Sequence, residues 1–196
     1  MSKYILFIDG ENFLHKIEEV FKSEGVAKNK ISLATISLDK LFSEPLKGLD
    51  ISRKVFYVAK LHFNPETKKK SEELIKFQRK LRNNLVNQGY EFVIAGNVRA
   101  LKVGSKIIFR EKGVDVRIGV DLVSLACDGK LETAILGSSD SDLQPAIAEL
   151  RKRDVKVVYL GFETNPNKGL TYTTNRTILL RNHEVIEACK KAGQDE

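Results

Sequence analysis

Tyr4-Ile5-Leu6-Phe7-Ile8-Asp9-Gly10-Glu11-Asn12 decides how the rest of the chain is read. A strand with one wet face alternates apolar and polar side chains. An unbroken apolar run is what a strand covered on both faces shows. This run stops at Asp9, and Phe13, Leu14, Ile17, Val20 and Phe21 follow at helical spacing, with Gly25 as a stop. Asp9 is placed to cap that helix. The pattern recurs at Thr133-Ala134-Ile135-Leu136-Gly137, which leads through Ser138 and Ser139 into Asp140 and Asp142. A helix over 142–152 follows, with Pro145 in its first turn, where a missing N–H costs little.

Working outward, strands and helices keep alternating. Val55–Val58 reads as a strand and 66–87 as a helix, with Leu74, Phe77, Leu81 and Leu85 as its apolar stripe and Gly89 as its end. Tyr90–Ile94 begins a strand that runs on through Val98, Leu101 and Val103. With Lys106–Arg110 it makes an antiparallel β-ribbon near 97–111, turning at Gly104-Ser105. Residues 115–127 read as a helix, and 132–137 and 155–160 as strands. Residues 28–50 are ambiguous, apart from a short helix around Leu38, Leu41 and Phe42 that ends near Pro45. Residues 161–175 read as a mobile loop, and 176–192 as a short apolar stretch passing into a C-terminal helix. The expectation is α/β: a mostly parallel sheet with helices on both faces.

The 196 residues fit one domain, expected over 1–192. No apolar run approaches the roughly 20 residues of a membrane span. The first run ends too early for a signal core, so cytoplasmic residence is expected. Cys127 and Cys189 read as free thiols, and with three scattered histidines they make no zinc pattern. His15, His62 and His183 read as structural or surface residues. The net charge of +7 is uneven: residues 51–112 carry fifteen Lys/Arg against five Glu, a local +10, which leaves −3 elsewhere. Such polarity favours a polyanionic partner.

In a parallel sheet, ligands gather beyond the carboxyl ends of the strands. Aspartates collected there repel one another unless protons or a cation intervene, and Mg²⁺ or Mn²⁺ suits oxygen donors. Asp115 opens its helix and could cap it. Asp121 lies six residues on, roughly 120° round and ~9 Å along, so both cannot easily hold one ion. An acid flanked by Val120, Leu122 and Val123 needs a partner, and Lys112 or Arg117 could supply it. An acidic metal pocket on a basic body points to phosphodiester hydrolysis.

Taken together, Ile8-Asp9-Gly10-Glu11-Asn12, Lys112-Gly113-Val114-Asp115-Val116 with Asp121, Ser138-Ser139-Asp140-Ser141-Asp142 and Lys156–Gly161 resemble the NYN domain, the LabA-like branch of the PIN-like nucleases. The resemblance covers roughly residues 3–161. It implies a Rossmann-like three-layer α/β/α fold and metal-dependent endoribonuclease activity. It implies an acidic pocket of Asp9, Asp115, Asp121, Asp140 and Asp142, supported by Asn12 and Ser138. Asp9 and Asp140 would be the principal ligands of Mg²⁺ or Mn²⁺, with Asp115, Asp121 or Asp142 assisting. Ser139 stands where the family pattern usually has glycine, and a side chain there would crowd the metal or the substrate.

The RNA would be held by Ser138, Ser139 and Lys112, by Lys68, Lys69, Lys70 and Arg79, and by Arg99, Lys102 and Lys106 of the ribbon. Such phosphate contacts position a strand without reading it. Phe63 and Tyr172 are candidates to stack on bases, whereas Phe109 reads as packing. Two rivals stand beside the ribonuclease. One is a non-catalytic RNA-binding module. The other is a small-molecule phosphohydrolase, disfavoured because Glu11 occupies the position of its second aspartate. A homodimer could use an edge strand or the C-terminal helix.

Overall fold

In a computed structural model that describes residues 3–27, 31–103 and 106–190, the chain forms a seven-stranded sheet. β1 (Tyr4–Asp9) is central, with β2 (Ile51–Lys60) and β5 (Thr133–Gly137) parallel on either side. β3 (Glu91–Val103) pairs parallel with β2. β6 (Lys156–Phe162) and β7 (Arg176–Leu180) extend the sheet beyond β5 in the same sense. β4 (Lys106–Lys112) pairs antiparallel with β3. The order β4-β3-β2-β1-β5-β6-β7 means that the chain builds outward from β1 one way and then the other. That reversal opens a crevice at the carboxyl ends of β1 and β5, where open α/β sheets bind ligands.

Helices cover both faces, as the unbroken β1 run requires. α1 (Gly10–Ser23), α2 (Leu38–Phe42), α3 (Lys68–Asn87) and α7 (Asn182–Cys189) pack with Leu6 and Ile8. α4 (Val114–Cys127), α5 (Gln144–Arg151) and α6 (Lys168–Thr173) pack with Ile5 and Phe7. Each such side chain contributes roughly 1.5–3 kcal/mol by leaving water.

The ribbon is antiparallel as expected, in register from Asn97↔Lys112 to Val103↔Lys106. Its turn at Gly104-Ser105, and the side chains of Arg99, Lys102 and Lys106, lie outside the described residues. The ribbon returns to the sheet through a close approach of two backbones. Gly96 has φ +67° and Gly113 φ +93°, and a Cβ on Gly96 would strike the Lys112 carbonyl. Gly113, not Asp115, occupies the cap position of α4, so the Asp115 carboxylate is free of that duty.

Two expectations are corrected in the C-terminal part. Residues 161–175 are not all loop, because 168–173 form α6, which buries Leu170 alone and so shows no periodic stripe. Residues 176–180 are a seventh strand on the sheet edge, with Ile178 and Leu180 inward and Leu179 exposed.

Candidate active site

Asp9 ends β1 and caps α1. Its Oδ1 accepts the Asn12 amide at 3.2 Å, and its Oδ2 accepts Ser138 Oγ at 3.3 Å. The residue is only 5 % exposed, so these bonds rather than water satisfy it. Burial pushes its pKa up to about 6; the two hydrogen bonds oppose that shift, and the charges of Asp140 and Glu11 add to it.

The turn after β5 is pinned to this junction. Ser138 Oγ accepts the Asp140 amide at 3.1 Å, and Asp140 Oδ1 accepts the Asp142 amide at 2.9 Å. Asn12 Oδ1 accepts the Ser139 amide at 2.8 Å. Ser138 is itself buried, so it supports Asp9 and Asp140 instead of facing a substrate.

Ser139 does not crowd the pocket. Its Oγ turns to Tyr159 Oη, 3.1 Å away. Tyr159 is fully buried on β6, and a Cβ at Gly161 would strike its ring. Tyr159 Oη also accepts the Asn167 amide at 3.1 Å. Asn167 Nδ2 donates to Ser139 O at 2.8 Å and to Ser141 Oγ at 3.0 Å, while its Oδ1 caps α6 through Leu170 N. Nothing in the sequence marks Asn167, which lies in an Asn-, Gly- and Thr-rich segment.

The outcome is a trio. Asp115 from α4, with Asp140 and Asp142, bring carboxylate oxygens within 4.8 Å of one another. Ligands opposite each other on one Mg²⁺, at roughly 2.0–2.1 Å, lie about 4.2 Å apart, so a small side-chain rotation closes the set. The donors are all hard oxygens, which fits Mg²⁺ or Mn²⁺. Asp9, expected as a principal ligand, stands outside this trio and behind it.

The trio lines a pocket of about 600 Å³ that also takes in Asp9, Glu11, Asn12, Lys16, Arg110, Glu111 and Lys112. Lys112 is where it was expected, whereas Lys16, Arg110 and Glu111 escaped sequence reasoning. The missed signal was that the ribbon's last residues run straight into Gly113-Val114-Asp115 and so must share its neighbourhood. Burial pushes the Glu111 carboxyl well above the usual range, and a hydrogen bond and the charge from Glu11 add to the shift. His15, read as a surface residue, lines the pocket rim and sits 3.3 Å from Glu19.

Asp121 is not in the pocket. Its Oδ2 accepts Tyr57 Oη at 3.0 Å and its Oδ1 accepts Arg117 Nε at 2.9 Å. Burial raises the Tyr57 phenol pKa, and the Asp121 charge raises it further. Arg117 is therefore the partner, and the catalytic assignment of Asp121 is corrected. Lys68, Lys69, Lys70 and Arg79 are exposed on α3, away from the trio. Lys70 Nζ lies 5.1 Å over the Phe109 ring.

A carboxylate trio at the switch point of a mostly parallel, three-layered sheet defines an α/β protein of the PIN-like nuclease class. The NYN domain family matches residues 3–181, and the chain belongs to that family. NYN domains are PIN-like nucleases, typically dependent on divalent metals. No curated protein matches the chain. In fold it is similar to the crystal structure of a protein of unknown function from Vibrio parahaemolyticus. That likeness has a TM-score of 0.56 and 15% identity over 91% of this chain and 93% of the other, and it speaks to fold alone. Among the described residues, no helix is long and apolar enough to cross a membrane.

Proposed function

We propose that the chain is a metal-dependent endoribonuclease that hydrolyses RNA phosphodiesters at the acidic pocket. The observation that carries this reading is the convergence of Asp115, Asp140 and Asp142 beside Lys16, Arg110 and Lys112. Three carboxylates with basic side chains at their rim suit a phosphate bridged to a cation. Asp115, Asp140 and Asp142 would hold Mg²⁺ or Mn²⁺, which when bound supplies Lewis-acid polarisation of the scissile phosphate.

The chain's own residues do the rest. Asp9, through Ser138, fixes the turn that carries Asp140. Asn12 and Asn167 hold Ser139 from either side, so Asp140 and Asp142 are preset before substrate arrives. Preset charge costs no reorganisation during reaction, which is where electrostatic catalysis gains most. Lys16, Arg110 and Lys112 hold the flanking phosphate oxygens. The exposed lysines of α3 would add contacts that fix register and not sequence.

The test is incubation with single-stranded and structured RNA in Mg²⁺, Mn²⁺ or EDTA, with Asp140→Asn alongside. Metal-dependent cleavage lost in the variant is the expected result. RNA bound but intact in every lane would return the non-catalytic module. Phosphate released from nucleotides and unaffected by RNA would return the phosphohydrolase.

A further inference from the structure

We infer that a groove beside the acidic pocket receives an unpaired nucleobase of the substrate, an inference that rests on the RNA reading above for the identity of the polymer. The groove lies between α1 and α3, over the carboxyl end of β2 and beside the ribbon. It encloses about 310 Å³, at the lower end of the roughly 300–1,000 Å³ typical of small-ligand pockets. Leu14, Leu74, Phe77 and Phe109 form its walls, with Val58 and Ala59 beneath.

Its origin is legible in α3. The C-terminal half of the apolar stripe, Leu81 and Leu85, is fully buried against the sheet. The N-terminal half, Leu74 and Phe77, is only half-buried. The helix therefore stands off the sheet at one end, and apolar surface there is left without a protein partner. Phe109, from β4, supplies an aromatic wall.

Three observations choose the occupant. First, Glu11 and His15 line both this groove and the acidic pocket, so a strand with a phosphate at the trio lies within reach of it. Second, the outer side is basic: Lys70 Nζ lies over the Phe109 ring, with Lys68 and Lys69 exposed in the same turn of α3. An aromatic wall with cations at its rim is how proteins hold single strands, by base stacking and backbone charge together. Third, Gln78 donates Nε2 to Ala59 O at 2.9 Å, which leaves its Oε1 as an acceptor for a base edge. A base held in a duplex cannot turn into such a groove, so the substrate is single-stranded at this point.

The test is the affinity of short single-stranded RNA for the Asp140→Asn protein, compared with the same strand carrying abasic residues. Leu74→Trp fills the groove from a half-exposed helical position, and Phe109→Ala removes its aromatic wall. Each is expected to weaken the intact strand about tenfold, the loss of roughly one base stack, and to leave the abasic strand unchanged. Equal affinity for all combinations, or no binding of any RNA, overturns the base site. Unchanged RNA binding with a shift in sedimentation on Leu74→Trp means that a second copy fills the groove, which also overturns it. Wild-type cleavage measured in parallel separates the two readings. A base effect without cleavage sinks the nuclease and supports the base site, and cleavage without a base effect does the reverse.

Discussion

Asp115 and Asp121 share α4, and their surroundings differ in kind. In the first turn, Asp115 meets two more carboxylates across the switch point, and no hydrogen bond from the described residues neutralises it. One and a half turns on, Asp121 meets a phenol and a guanidinium, both within 3.0 Å. In composition the two places look alike, each an aspartate between apolar neighbours. What separates them is which strand ends face the helix. Acid gathered without partners marks the place for a cation, whereas acid with a full set of donors is structure.

Asp9 offers the largest break in this comparison, because it is buried like a structural acid yet carries a raised pKa. Folded, it keeps its proton up to about pH 6, whereas its ordinary value is 3.8. Between these values the folded state binds more protons, so stability falls as pH rises through that window. Asp9→Asn keeps an oxygen for the Asn12 cap and escapes the loss. It should match wild type below pH 4 and exceed it above pH 7, by on the order of 3 kcal/mol, the free energy that corresponds to a carboxyl raised this far. Thermal melts across that range check it, and added Mn²⁺ should narrow the gap. A variant less stable than wild type at pH 7 would contradict this account of Asp9.

Asn167→Ala comes next. It removes two bonds to the 138–142 turn and the cap of α6 while touching no carboxylate. Residues that orient metal ligands from behind typically cost roughly 10–100-fold in metal affinity when removed. Titration with Mn²⁺ should show a loss in that range, with the fold retained by circular dichroism. Affinity within twofold of wild type would mean that the turn holds itself.

The smallest effect sharpens the other side. Asp121→Asn should cost about 1 kcal/mol of stability, since the Tyr57 hydroxyl and Arg117 lose a charged acceptor but keep a neutral one. RNA cleavage should stay within about twofold. A loss as large as that of Asp140→Asn would restore Asp121 to the chemistry.

What the sequence made legible was the sheet's centre. β1 and β5 are buried on both faces, so their unbroken runs and terminal aspartates stood out, as did the ribbon's alternation and the long stripe of α3. The edge was harder. β7 buries only two of its five residues and α6 one, too few to make a period. Within the pocket, Asp140 and Asp142 were readable from a strand-to-helix turn, and Asp115 only from its glycine neighbour. Glu111, Arg110, Lys16 and Asn167 owe their places to contacts across the sheet, which spacing along the chain does not encode. Asp121 was misplaced for the same reason: its Tyr57 partner lies on β2, sixty-four residues away.

The most direct measurement is Mn²⁺ binding followed by electron paramagnetic resonance in wild type, Asp115→Asn and Asp121→Asn. The account predicts ion binding that Asp115→Asn weakens severely and Asp121→Asn leaves intact. Equal binding in all three proteins, or a loss confined to Asp121→Asn, would contradict the assignment of the Asp115, Asp140 and Asp142 trio as the metal centre.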